Sequence, residues 1–175
     1  TTINYSVPDD IIVRPINGVY KSSNTAIYEG NIVTEYFNVF GNTNLYTLQS
    51  DNIDTRSLTV YVYESSISQK SYVYTRAESL FGVTPTSNVY FIQGCQDNKY
   101  QLYFGNDVTG RQLSAGNIVK VEYRDTLGEA TNGAYIFKKN ASVYDDNNNL
   151  YTSISVTTVK AASEGSERES IDSIK

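Results

Sequence analysis

The sequence predicts a mainly β fold: antiparallel sheets, sandwich-like, with one or two short helices and a truncated helix at the C-terminus. Three observations predict it. Strand formers (Val, Ile, Tyr, Thr) alternate with turn formers (Asn, Asp, Gly, Ser) at short spacing. The 175 residues include 16 Tyr and 17 Thr for strands, with 17 Asn and 19 Ser for turns. Several segments also repeat with period two, which puts successive side chains on opposite faces of a sheet.

The elements follow in order. Residues 1–26, punctuated by Pro8, Asp9-Asp10, Pro15 and Asn17-Gly18, read as an N-terminal arm or edge strand. Residues 27–160 read as one β domain, without internal repeat or low-complexity linker. In it, Leu58 to Tyr63 alternates aliphatic residues with Thr and Tyr. Tyr74 to Phe81 reads as a short turn of helix, ended by Gly82 and by Pro85 soon after. Val89–Gln93 and Tyr100–Phe104 are apolar on both faces and read as central strands of one hairpin, with Gly94 to Lys99 as its loop. Gly105, Asn106, Asp107 and Gly110 read as a structural turn, because Asn and Asp tolerate left-handed backbone angles and Gly adopts them freely. Val119, Val121 and Tyr123 share one face of the next strand, and Lys120, Glu122 and Arg124 the other. Asp145 to Asn149 lies between Val143-Tyr144 and Leu150-Tyr151, as a hairpin turn would. Ile154 and Val156, opposite Ser153, Ser155 and Thr157, read as a further half-buried strand.

Residues 161–175 read as the start of a helical segment. Ser166 and Glu169 have capping-box spacing, and Ile171 and Ile174 fall on one face. About two to three turns is below the ~12–15 residues at which isolated helices become marginal. Ile171 and Ile174 are therefore the candidate assembly contact, expected to dock on another segment or subunit. The pattern stops at Lys175 in mid-course, so the chain is expected to be a piece of a longer polypeptide.

Composition narrows the chemistry. With no His, the commonest general base and zinc ligand is missing, and the single Cys95 excludes an internal disulfide framework or a Cys-cluster metal site. A net charge of −5 is the wrong sign for coating nucleic acid. No apolar run approaches the roughly 18–20 residues that span a bilayer. The expected partners thus include neither nucleic acid nor membrane. Glu122 and Asp125, like Asp9 and Asp10, are close in sequence. A glycosidase needs two carboxyls roughly 5–9.5 Å apart across a cleft, which sequence proximity does not supply. Asp145 to Asn149 lacks the central Gly and distal Glu of a calcium loop. Gly105 to Arg111 lacks the Gly-Lys-Ser/Thr ending of a phosphate loop. Tyr and Asn richness would suit a sugar-binding face, yet the Tyr residues are spread over many strands, where they serve packing. Cys95, with no His to serve as its base, reads as a buried or idle thiol. No catalytic residue, cofactor or metal is expected.

Several ordered segments carry a resemblance. They are Ile27-Tyr28-Glu29-Gly30; Asn52 to Leu58; Tyr74 to Phe81 before Ser87 to Gln93; Tyr100 to Asp107 with Gly110; Gly116 to Val119 with Tyr123-Arg124; Asn132-Gly133-Ala134; and Ala162 to Lys175. Together they resemble the baseplate J-like family, and within it the large wedge subunits of T-even-type contractile-tailed bacteriophages. The sequence departs from the family pattern at Asn106-Asp107, where Asp-Gly is usual after Gly, and at Glu164, where Gly is common. The resemblance implies a structural protein of the virion tail baseplate, assembled in the host cytoplasm. Copies would pair with each other in a dimer or ring around the hub. They would also contact neighbouring wedge and hub or sheath proteins, without catalysis. The competing expectations are a carbohydrate-binding tail or adhesin module and, behind it, a polysaccharide-cleaving enzyme.

Overall fold

Short runs of β-branched and aromatic residues between turn formers become strands in the computed structural model, which describes residues 2–7, 11–41, 43–140, 142–145 and 147–166. In chain order they are β1 (Tyr5–Ser6), β2 (Val13–Ile16), β3 (Val19–Ser22), β4 (Tyr28–Glu29), β5 (Asn31–Asn38), β6 (Leu45–Thr47) and β7 (Ile53–Tyr63). There follow β8 (Ser71–Arg76), β9 (Val89–Gly94), β10 (Tyr100–Phe104), β11 (Ile118–Asp125), β12 (Val143–Tyr144) and β13 (Leu150–Tyr151). Helix is confined to two 3-10 turns among the described residues, Gln96–Asn98 and Gly128–Thr131. The chain is mainly β, and it divides into two compact units: Gly30–Thr126, and the chain on either side of it.

The Gly30–Thr126 unit is one seven-stranded sheet in the order β5-β11-β7-β8-β9-β10-β6. Its pairings are antiparallel except β8 with β9, which run parallel through Thr75↔Val89 and Arg76↔Tyr90. Period-two patterning is clearest in β11, where Val119, Val121 and Tyr123 are buried and Lys120 and Glu122 are half-exposed. Tyr46, Val60, Val62, Tyr74, Tyr90, Leu102 and Phe104, from five other strands, join the same core, with Val33 and Phe37 of β5 packed against it. One sheet can enclose its own inner face only by curling. The edge strands β5 and β6 accordingly meet, with the rings of Phe37 and Tyr46 5.3 Å apart. The sheet is a nearly closed roll whose inner face opposes itself.

The expected β9–β10 hairpin forms, from Tyr100↔Gly94 to Phe104↔Tyr90. Its loop turns through Asp97 and Asn98, both at positive φ. Two expectations fail. Tyr74 to Phe81 is not helical: Tyr74, Thr75 and Arg76 complete β8, and bends and turns follow to Gly82. Tyr74 is buried in the core, and the Thr75 amide donates to the Asn88 carbonyl at 3.0 Å. Burial and a non-local ladder here outweigh a weak local propensity. Ile154 and Val156 do not form a strand, and both are exposed. Their alternation is real, but among the described residues no strand pairs with them, and a strand needs a ladder partner. Glu169, Ile171 and Ile174 lie outside the described residues, and Ser166 is exposed and irregular.

Several polar groups in the roll are matched, whereas the buried Asn88 Oδ1 has no hydrogen-bond partner among the described residues. The Tyr123 hydroxyl donates to Glu35, whose Oε1 also accepts the Gln49 amide at 2.9 Å. Burial, then the hydrogen bond to Glu35, pushes the Tyr123 phenol well above its usual range. Arg124 pairs with Asp54 at 3.0 Å, and Arg56 approaches the same carboxyl at 3.3 Å. Burial alone would raise Asp54, but hydrogen bonds from Arg124 and then Arg56 outweigh it and hold the carboxyl below its usual value. A depressed folded-state value stabilises fully above the unfolded pKa of about 3.9 and is lost as pH falls through the folded value. Urea titrations below about pH 4 should therefore show stability falling with acid in the native chain. The slope should be shallower in Asp54→Asn, and equal slopes would count against this assignment.

The flanking unit is built from three two-stranded pieces: β1 with β4, β2 with β3, and β12 with β13. Local bonds tie its loops. Asn132 and Gly165 exchange two hydrogen bonds, at 2.8 and 2.9 Å. Glu29 accepts the Leu127 amide at 2.9 Å, and Tyr5 meets Phe137 edge-to-face at 4.9 Å between ring centres.

Candidate assembly surface

The residues singled out from the sequence separate in space. Gly105, Asn106, Asp107 and Gly110 come together in a self-bonded loop between β10 and β11. Asn106 Oδ1 accepts the amides of Val108 and Thr109, both at 3.1 Å. Asp107, at φ +62, donates its amide to the Gly110 carbonyl and accepts the Gln112 amide, both at 2.9 Å. Gly105 and Gly110 touch backbone to backbone: a Cβ on Gly105 would stand 2.1 Å from the Gly110 carbonyl carbon and oxygen. A Cβ on Gly110, at φ +104, would stand 2.9 Å from a methyl group of Val89 in β9. The loop's polar side chains are thus consumed in holding its own backbone.

Glu122 pairs with Lys120 at 2.9 Å on the outer face of the roll, whereas Asp125 accepts the Ser50 hydroxyl at 3.1 Å. The two carboxyls are engaged by different groups. Asp145 closes the β12–β13 turn, accepting the amides of Asn147 and Asn149 at 2.9 and 2.8 Å. Hydrogen bonds from the Asn149 side chain and then its backbone hold this carboxyl below its usual value. The Cys95 thiol is half-buried and lies 3.6 Å from the Gln96 carbonyl. Of the tyrosines, Tyr46, Tyr74, Tyr90 and Tyr123 are core residues.

One cleft of about 230 Å³ opens on the roll, lined by Tyr63, Glu64, Tyr72, Tyr74, Arg111, Asn117 and a few neighbours. It is smaller than the ~300–1,000 Å³ of most ligand sites. Glu64 pairs with Lys70 at 2.6 Å and accepts the Tyr72 hydroxyl at 3.0 Å. Hydrogen bonds from Lys70 and then Tyr72 lower its pKa, the opposite of the rise a general acid requires.

The larger feature is the open apolar surface of the flanking unit. Among its described residues only Thr131 is buried. Val13, Ile16, Val19 and Tyr20 of the β2–β3 hairpin are 50–66% exposed. Val143, Tyr144, Leu150 and Tyr151 of β12–β13 are 42–54% exposed. An isolated two-stranded hairpin is marginal in water, so pieces of this kind need something to cover them. Sequence reasoning treated the first hairpin only as an arm or edge strand. The signal was present: Asn17 and Gly18, at φ +51 and +78, make the two-residue turn that most favours a hairpin.

Fold and surface together define a mainly β protein with one enclosed core and a second unit whose described large apolar residues are mostly exposed. No protein-family model matches the chain, and no curated protein is found to be similar to it.

Proposed function

We propose that this chain is a structural component of a phage tail baseplate, a segment of a large wedge subunit that works through protein–protein contacts. In this reading it assembles with copies of itself and with neighbouring wedge, hub or sheath proteins. The observation that carries it is the flanking unit, which holds its strands in three short ladders while leaving most of the large apolar side chains among its described residues exposed. Such a surface suits a part completed by its neighbours. The ordered sequence resemblance to the baseplate J-like family supplies the particular setting. An antibody raised against the chain should label purified contractile tails at the baseplate end. Labelling along the tail tube or fibres, or none, would overturn this role.

A second reading, carbohydrate binding, is favoured by the cleft, where Tyr63 and Tyr72 stand beside Arg111 and Asn117. A glycan array separates the two. A scaffold binds no sugar selectively, whereas a recognition module loses its selective signal in Arg111→Ala.

A further inference from the structure

The two exposed hairpins of the flanking unit carry opposite charge. In β2–β3 the register sets Arg14 directly across from Lys21 and Ile16 across from Val19. Residues two apart share a face, so all four side chains lie on one face, two cations beside two aliphatics. Like charges placed directly opposite destabilise a strand pair. Among the described residues neither cation has an ion pair. This basic face belongs to a chain of net charge −5. The β12–β13 hairpin is its complement: Val143 lies across from Tyr151 on one exposed face, and Asp145, two residues beyond Val143, stands on that face at the turn.

We propose that the Arg14/Ile16/Val19/Lys21 face of one copy docks on the Val143/Tyr151 face of a second copy, with Asp145 set against the two cations. The inference rests on the assembly reading above and deepens it by naming the surface and its occupant. The layout fits hairpins stacked tip to base. In β2–β3 the cations lie about 7 Å further from the turn than the aliphatics, the rise of two strand residues. In β12–β13 the order is reversed, with charge at the turn and apolar residues behind it. Stacking tip to base therefore sets charge on charge and apolar on apolar. A carboxylate between Arg14 and Lys21 also removes their mutual repulsion. Two cations flanked by aliphatics are a poor match for nucleic acid, whose affinity comes from many phosphate contacts.

Sedimentation equilibrium on the purified chain tests this. The native protein should associate as concentration rises, and less so in about 1 M salt, where exposed charges are screened. The double variant Arg14→Glu, Lys21→Glu should associate at least about fivefold more weakly, as should Asp145→Lys. Mixed together, the two variants should recover association, since each supplies the charge the other lacks. Because Asp145 also holds its own turn, the milder Arg14→Gln, Lys21→Gln chain, with unchanged circular dichroism, gives a second reading and should be weakened in the same direction. A chain that stays monomeric, association indifferent to the reversal, or no recovery on mixing would overturn the proposal. A chain that is monomeric in solution but labelled at the baseplate would sink this interface and leave the assembly role standing.

Discussion

Gly105→Ala should be among the most damaging single substitutions in the chain, lowering stability by more than about 3 kcal/mol as read from the urea midpoint. The new methyl group would meet the Gly110 carbonyl carbon and oxygen at 2.1 Å, and these are backbone atoms that cannot rotate away. To make room, the loop must leave β9, and with it go the Asp107–Gly110 and Asp107–Gln112 bonds. Gly116→Ala is the matched control. Gly116 sits at φ +91, and nothing lies within 4 Å of its would-be Cβ. It should therefore cost only the strain of left-handed backbone, about 1–2 kcal/mol. If the two variants unfold at the same urea concentration, backbone contact at Gly105 is not what holds the loop.

Leu102→Ala is the second large effect, expected to cost about 2–5 kcal/mol. Leu102 has no exposed surface and sits in β10, paired with Ile92 on one side and Tyr46 on the other. Because the sheet curls around its own core, β10 is braced on both sides and cannot collapse readily into the cavity. Val73, 56% exposed on β8, provides the contrast: Val73→Ala should change stability by no more than about 0.5 kcal/mol. A Leu102→Ala chain that unfolds with Val73→Ala would mean that the roll repacks freely.

Local sequence carried much of the fold because side-chain alternation is a short-range property. Val119, Val121 and Tyr123 could be assigned to the inner face of a strand from spacing alone, and the structure buries all three. The β9–β10 hairpin was legible for the same reason, since both partners and their loop lie within 16 residues (Val89 to Phe104). The turn chemistry of Gly105, Asn106 and Asp107 was legible too. The requirement for Gly105 was not, because it comes from backbone brought against it by folding rather than from its own dihedral angles.

The assembly surface was harder to read. Exposure of Val13, Ile16, Val19 and Tyr20 is decided by what packs on them, and sequence states only that they are apolar. The acidic and basic hairpins lie more than a hundred residues apart, so their complementary charges became visible only when register set Arg14 across from Lys21 and Val143 across from Tyr151.

By itself the sequence determined the faces of β11, the β9–β10 hairpin and the turns at residues 105–110 and 145–149, because these follow from period-two geometry and from which residues tolerate positive φ. Tertiary structure alone decided that Tyr74 lies inside a strand rather than opening a helix, that β8 and β9 run parallel, and that one sheet rolls up until Phe37 meets Tyr46. It also decided which apolar residues are left in solvent. Those outcomes depend on hydrogen-bond partners and burial contributed by distant parts of the chain, and no local pattern encodes them.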